Sequence, residues 1–449
     1  MSTASPPAAT SNPGPLASDP PHRRQREHPS GFYVLCAVEL FERFAGTLLG
    51  SLLLLYLSER LGMAAGAATR LGGTFNAAIY VSSVIGGFIA DRWLGTRRSI
   101  LLGALLLALG YAVLSMDSAT LLYPAAGLLM MGHALFKPSI SSAVGKLYPR
   151  NDPRRDDAFS LFYVVFNIGS GCGPIAGGFL RSHLGWSAAF AVAGLAMLTA
   201  LAVGLFCFRY VVKTAGPNTD EQTSPSKDRN RATWPIASLL GVLGSGLLFT
   251  AVYEQSGQSL LLWARDCTRH SVLGYSVPPS SLLGLPGLLV LGIQPLLSRT
   301  QSALSRRGHR PSPLLRIGIG LLFGIVSYLI MIIAALRQAQ SQGLISPAWL
   351  VACFTALTVA ELLVYPLGMS LVTRLAPQTS TAAAMGLWLV SLAGGHWLAG
   401  EVASRWAMWS HATLFSVLAA LALVAVLVLA LASRPIRRAL ADDEHAAKD

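Results

Sequence analysis

Apolar residues do not alternate with polar ones along this chain at the period of a surface helix. They come in long runs, at 31–57, 71–93, 97–116, 119–143, 158–181, 186–211, 235–264, 279–298, 313–336, 347–374, 382–407 and 411–433. A helix needs roughly 20 mainly apolar residues to cross the hydrocarbon core of a bilayer, and each run reaches that length. A large soluble helical protein would keep a polar stripe at a period of about 3.6 residues; the stretch from Leu101 to Ala112 has none. The pattern predicts an all-α membrane protein with twelve transmembrane helices.

The longest polar interval between runs is "VKTAGPNTDEQTSPSKDRNRAT" (212–233), hydrophilic and rich in turn residues. It falls near the middle and divides the chain into an N-terminal six-helix bundle (31–211), a cytoplasmic linker (212–234) and a C-terminal six-helix bundle (235–433). Residues 1–30, rich in Pro, Ser and Ala, and residues 434–449 read as cytoplasmic tails, the first one disordered. Six helices, a linker and six more is the layout of carriers whose halves rock about a central cavity.

Composition agrees: charged residues make up 12 % and hydrophobic ones 53 %. A net charge of +13 raises the question of nucleic acid, but the placement of the cations answers it. "RRQR" (23–26), "RRGHR" (306–310) and "RPIRR" (434–438) all fall on one predicted side, as the positive-inside bias requires. Both termini are expected in the cytoplasm, with these clusters facing anionic lipid in a plasma membrane, the inner one in a bacterium. Cys36, Cys172, Cys207 and Cys353 fall within spans and Cys267 near an outer loop. They form no disulfide framework or metal-ligand spacing. No cofactor is expected.

Ionisable side chains inside a span cost several kcal/mol unless paired or hydrated, so they are candidates for a functional cavity. Six stand out: Glu39, Glu42 and Arg43 in the first span, Lys137 in the fourth, Glu254 in the seventh and Glu361 in the tenth. If they share one chamber, four carboxylates face two cations, and an excess of close negative charge favours retention of a proton. At about 100° per residue, Glu39, Glu42, Arg43, Gly46, Thr47 and Gly50 share one face. His133 pairs with Lys137 at helical spacing, Glu254 with Gln258, and Glu361 with Tyr365, the last just before Pro366 and Gly368, which read as a helix break. Other readings remain open at each site. The first-span charges could be a structural ion-pair knot, Lys137 and Glu254 could snorkel, and Glu361 could satisfy backbone donors freed by the break. His133 reads equally as a packed neutral ring, His396 more readily as structural, and Gly46 and Gly50 as a packing seam.

Two further patterns bear on assembly. Gly169, Gly173 and Gly177 recur every four residues, which lets a neighbouring backbone approach closely. The loop "GGFIADRWLGTRR" (86–98) sets Asp91, a turn at Gly95, and Arg97 and Arg98 in a row that suits a charged latch between helices.

At these residues the chain resembles the proton-dependent oligopeptide transporter family, which has the major facilitator fold. The resemblance rests on "ELFERF" (39–44), "FNAAIYVSSVIGGFIADRWLGTRRSI" (75–100), "FKPSISSAVGKLY" (136–148) and "FSLFYVVFNIGSG" (159–171). "YEQSGQSLLLWA" (253–264), "ELLVYPLGMSLVTRLAP" (361–377) and "MGLWLVSLAGGHWLAG" (385–400) extend it. It implies a proton-driven symporter importing di- and tripeptides by alternating access. It also implies roles: Glu39, Glu42 and Arg43 in proton coupling, Lys137 facing the substrate carboxylate, Asn167 and Glu361 binding the amino terminus. Tyr80 would line the cavity and Glu254 would be a gate or pocket acid.

The chain departs from the family where "ERFAGTLLG" replaces a pattern of E-R-F-x-Y-Y-x-x-R. Gly46 and Thr47 stand for two tyrosines and Gly50 for an arginine, which widens the pocket and removes a partner of Glu254. Tyr365 stands where a small residue is usual. A carrier of another zwitterionic or peptide-like solute, an exporter included, is therefore the alternative, and a non-transporting sensor is a further one. An enzyme is not expected, because neither H-E-x-x-H nor G-x-S-x-G occurs. The expected partners are a small peptide or peptide-like solute, protons and membrane lipid, with no nucleic acid, in a monomer.

Overall fold

The computed structural model describes residues 28–148, 152, 154–214, 235–272, 274–309, 311–376 and 381–446. Among them, nine helical runs are long and apolar enough to cross a bilayer. Two of these runs, Ala65–Ser115 and Asp157–Cys207, hold 51 residues each. A straight helix of that length would measure about 77 Å, far beyond a hydrocarbon core of about 30 Å. Each therefore turns back at a glycine in the left-handed region, Gly95 at φ +74° and Gly185 at φ +85°. Each supplies two spans, and Thr381–Ala403 completes the set of twelve.

The first bundle comprises α1 (Ser30–Leu55), α2 (Ala65–Ile89), α3 (Gly95–Ser115), α4 (Leu122–Lys146), α5 (154–184) and α6 (185–214). The second comprises α7 (Ile236–Tyr253), α8 (Ser259–Asp266), α9 (Leu285–Arg306), α10 (Pro313–Ser341), α11 (Ala348–Leu375), α12 (Thr381–Ala403) and α13 (His411–Ala446). α7 and α8 together form one span, joined by a 3-10 turn at Glu254–Gly257. A short antiparallel hairpin, Ser271–Val272 with Tyr275–Ser276, decorates the loop after α8.

Three boundaries differ from the hydropathy reading. α1 continues through a π-helical turn to Arg60, past residue 57. α13 runs on to Ala446 with Pro435 inside it, so the expected tail at 434–449 begins as helix. Pro366 does not break α11, which is continuous from Ala348 to Leu375. The linker positions 215–234 and the tail positions 1–27 lie outside the described residues, as do the "RRQR" cluster and Arg310.

The four-residue glycine repeat does what its spacing suggests. A methyl on Gly169 would lie 2.8 Å from the Leu40 carbonyl, and one on Gly173 2.4 Å from the Phe44 carbonyl. One on Gly177 would meet the Leu48 side chain at 2.9 Å. α5 thus lies directly on the backbone of α1, and the first-span charges are held against the middle of α5. Tyr56, fully buried, locks the far end of α1 edge-on against Phe190 of α6, with ring centroids 5.1 Å apart.

The bundles meet along two seams, α2 with α12 and α5 with α9. A methyl on Gly73 would meet Gly400 Cα at 2.8 Å, and one on Gly284 the Gly171 carbonyl at 2.4 Å. These contacts cluster in the half of the molecule away from the chain termini. There Arg70 of α2 reaches Glu401 of α12 at 3.3 Å, and Arg405 holds the same carboxylate at 3.1 Å.

Candidate functional site: a charged cavity between the bundles

Between the bundles lies a cavity of about 940 Å³, at the upper end of the usual range for small-molecule sites. Its lining reaches Ser160, Ser298, Gln301 and Arg316 toward the terminus-bearing side, and Gly72, Gly257 and Gln258 toward the closed side. It draws on both bundles. Glu42, Arg43, Tyr80, His133, Lys137 and Asn167 come from the first; Glu254, Gln258, Glu361, Tyr365 and His396 come from the second.

The first-span cluster is built by helical spacing. Arg43 Nε lies 3.1 Å from Glu39 Oε1 and 2.5 Å from Glu42 Oε2, and its guanidinium sits 4.8 Å from the centroid of the Phe166 ring. Glu39 does not line the cavity; it is buried behind Arg43. The other Glu42 oxygen faces His133 Nδ1 at 3.2 Å. His133 is thus tied to the charged cluster from α4, one turn from Lys137. Both Glu39 and Glu42 are nearly solvent-free, at 3 % and 1 % exposed, so their charges depend on these partners rather than on water.

Lys137 projects over the Tyr80 ring, 5.1 Å from its centroid. This rules out the snorkelling alternative, since the ammonium stays in the cavity. Tyr80 in turn stacks on His396 of α12 with centroids 4.5 Å apart, and His396 Nδ1 lies 3.3 Å from Glu254 Oε2. His396, read from sequence as structural, is a cavity residue. Its signal was hidden because a lone histidine on an apolar face gives no hint of a carboxylate four spans earlier in the chain.

On the second bundle, Glu361 accepts a hydrogen bond of 2.7 Å from the Tyr253 hydroxyl. With α11 unbroken, this phenol holds the carboxylate and no freed backbone donor is needed. Tyr365 donates to Thr250 Oγ1 at 3.2 Å and packs edge-on against Tyr253, with centroids 5.7 Å apart. Gln258 lines the floor, but the 3-10 turn at Glu254–Gly257 breaks the helical phase expected to stack it on Glu254. Asn167 reaches the cavity while its amide donates to the Tyr163 carbonyl at 2.8 Å.

Gly46 and Gly50 are not a packing seam. A methyl on Gly50 would meet nothing within 4 Å, and one on Gly46 would find only Glu42 Oε1 and His133 Cε1, each at 3.8 Å. Both positions open onto the cavity, so the missing tyrosine and arginine leave free volume. Charge bookkeeping also changes. Arg316 of α10 lines the cavity, so the lining carboxylates Glu42, Glu254 and Glu361 face Arg43, Lys137 and Arg316, three against three, and any formal excess of negative charge rests on Glu39, buried behind Arg43. Arg316 escaped the sequence reading because it stands near the start of a span, where a cation reads as an interfacial anchor.

At the loop between α2 and α3, Asp91 sits in the π-helical turn Ala90–Leu94 and Arg97 and Arg98 in the first turn of α3. Lys146 of α4 donates to Thr96 Oγ1 across this loop at 2.8 Å. No group of three or more His, Cys, Asp or Glu side chains among the described residues could hold a metal ion.

Comparison with known proteins follows this geometry. Residues 35–396 match the model of the Major Facilitator Superfamily. The chain is 30 % identical over 439 residues to dipeptide and tripeptide permease A of Escherichia coli (strain K12), covering 86 % of each protein. It is 29 % identical over 485 residues to the permease of the same name from Salmonella typhi, covering 94 % of this chain and 95 % of that one. A peptide transporter POT in complex with sulfate superposes with a TM-score of 0.82 at 24 % identity, covering 92 % of this chain and 97 % of that one. A POT family transporter in complex with 5-aminolevulinic acid gives the same score and identity over 91 % and 97 %. By its matched length, its fold and its motifs, the chain belongs to the proton-dependent oligopeptide transporter family of the Major Facilitator Superfamily.

Proposed function

We propose that this protein carries short peptides across the bacterial inner membrane, driven by protons, with both termini in the cytoplasm. The observation that supports this most is a single chamber into which Lys137 projects from one bundle and Glu361 from the other. A zwitterion needs both. Lys137 faces the substrate carboxylate, Glu361 and Asn167 the amino terminus, and Tyr80, Tyr365, Gln258 and His133 shape the space between them. The tight far-side seams and the cavity's reach toward the terminus-bearing side correspond to an inward-facing state. Glu39, Glu42 and Arg43 form the coupling cluster. A proton arriving on a glutamate releases Arg43 from one of its two carboxylates, which frees the guanidinium for another anion. Asp91, Arg97 and Arg98, with the Lys146–Thr96 contact, form the hinge that reseats α2 against α4 as the bundles rock. The relatives are permeases, which favours carriage over catalysis, and one copy suffices because the chamber is complete within one chain.

The free volume over Gly46 and Gly50 favours a second reading, a solute bulkier than a dipeptide with the same charged ends. Purified protein in liposomes under an inward proton gradient decides between them. Uptake of labelled Ala-Ala, displaced by other dipeptides, is the expected result. Uptake confined to non-peptide zwitterions favours the second reading, and no gradient-driven uptake of either class rejects both.

A further inference from the structure

The closed end of the cavity is walled differently from the rest. Glu254 stands in the 3-10 turn between α7 and α8, and its side chain is 25 % exposed, against 1 % for Glu42. His396 Nδ1 lies 3.3 Å from its Oε2, which leaves Oε1 to the cavity. Among the described residues, no lysine or arginine makes an ion pair with this carboxylate. The other carboxylates lining the chamber are held, Glu42 by Arg43 and His133, and Glu361 by the Tyr253 hydroxyl.

Four positions on, Gln258 is 6 % exposed and lines the cavity, and its Oε1 has no hydrogen-bond partner. Gln255, in the same turn and fully buried, shows what a structural glutamine does here. Its Nε2 donates to the Ala251 and Ala399 carbonyls, and its Oε1 accepts from Ser259. Gln258 has no such task, and a buried amide oxygen left unpaired is costly. The space beside it is kept clear by glycine. A methyl on Gly50 of α1 would meet nothing within 4 Å, and one on Gly257 would reach only the Gly50 carbonyl, at 4.0 Å. One on Gly72 of α2 would touch Gln258 Nε2 at 3.4 Å. All three glycines line the cavity.

A carboxylate and an amide oxygen beside an unfilled, glycine-walled space suit a hydrogen-bond donor that carries positive charge. We propose that this end of the chamber binds the basic side chain of the solute, a guanidinium above all, through Glu254 and Gln258. This deepens the carrier reading above and rests on it: Lys137 and Glu361 hold the two ends of the zwitterion, and Glu254 takes a third, cationic arm. Tyr80 links the two regions. Lys137 Nζ lies 5.1 Å from its ring centroid, and the His396 ring that touches Glu254 lies 4.5 Å from the same centroid. One aromatic ring thus spaces the carboxylate anchor from the cation pocket, which suits a long side chain over a short one. An ammonium can reach Glu254, but the planar fork of a guanidinium can bond the carboxylate and the amide oxygen together. Arg43 is engaged by Glu39 and Glu42, and Arg316 lies toward the terminus-bearing side, so neither opposes a cation here.

Calorimetric titration of the full-length protein in detergent micelles tests this with Ala-Arg and Ala-citrulline, which share nearly one shape and differ in side-chain charge. Wild type is expected to bind Ala-Arg roughly 10- to 150-fold more tightly, the worth of one charge-assisted hydrogen bond. Equal affinities overturn the proposal. Glu254→Gln keeps the shape of the site and removes its charge, and Gly50→Arg places a resident cation in the open space. Each is expected to bring the ratio near one. A ratio that stays at the wild-type value in Gly50→Arg, or in a Glu254→Gln protein that still binds Ala-citrulline, overturns the assignment. If wild type binds neither peptide, peptide carriage fails, and free arginine against free citrulline replaces the pair. A preference for arginine that Gly50→Arg removes then upholds the pocket, and no preference overturns it.

Discussion

Gly173 is the place where the α1–α5 contact is tightest, and Gly173→Ala converts that closeness into a number. The new methyl would lie 2.4 Å from the Phe44 carbonyl, 2.4 Å from Thr47 Oγ1 and 3.0 Å from Leu48 N. The carbonyl belongs to helix backbone and cannot rotate away. To reach an ordinary contact of 3.4 Å, α1 must retreat by 3.4 minus 2.4, or 1.0 Å. Overpacking of this kind costs about 1–3 kcal/mol. Alanine also gains about 1 kcal/mol of helix propensity over glycine, which would mask part of the loss. Gly50→Ala supplies the control, since it gains the same propensity in the same helix pair and its methyl meets nothing within 4 Å. The difference between the two variants isolates the clash. For units the size of one bundle, about 2–4 °C accompanies each kcal/mol. Gly173→Ala is therefore expected to melt roughly 2–12 °C below Gly50→Ala in detergent, followed by intrinsic fluorescence or by precipitation. Proton-driven uptake should fall with it, because the clash lies one turn from Arg43, whose carbonyl accepts from Thr47. Equal melting temperatures for the two variants would refute the close-approach argument.

Other outcomes follow from the same geometry. Glu39→Gln and Glu42→Gln are each expected to abolish accumulation against a gradient while the melting temperature stays within a few degrees of wild type; concentrative uptake by both would remove the coupling role. Lys137→Ala and Glu361→Ala each delete one end of the proposed zwitterion clamp, and a lost charge-assisted contact of about 1.5–3 kcal/mol raises the half-saturating peptide concentration roughly 10- to 150-fold. Wild-type affinity in both variants would place the solute elsewhere. Gly46→Leu fits locally but fills the cavity, so dipeptides with large side chains should lose uptake more than Gly-Gly. A uniform loss across sizes would speak against the open volume as a specificity element.

Most of the architecture was legible in the sequence because burial in lipid demands it. A helix that must be apolar on every side announces itself by length alone, and all twelve runs became spans. The Gly169–Gly173–Gly177 repeat was equally readable, since small residues at helical spacing leave few alternatives to close packing. What the sequence could not resolve was phase and partnership. Gly46 and Gly50 carry the same small-residue signature as the α5 glycines, yet they face a void. Pro366 lacks a backbone donor but the flanking packing keeps α11 helical. The Glu254–Gln258 spacing was helical on paper, but a 3-10 turn spans Glu254–Gly257 and Gln258 itself is non-helical. His396 was the costliest miss: its carboxylate partner is 142 positions away in the chain, and only the tertiary fold brings them together.

The closure on the far side is made in large part by glycine meeting glycine, Gly73 against Gly400 and Gly171 against Gly284. At Gly73–Gly400 the junction holds by backbone surfaces at short range, while at Gly171–Gly284 the side chains of Leu288 and Ile175 flank the contact. The glycine contacts themselves can part by rotation of two stiff bodies. Opening is therefore a matter of peeling rather than unthreading. The rate of the rocking step should accordingly be set by the few polar ties across the gap, such as Arg70 with Glu401, more than by the size of the apolar groups inside either half.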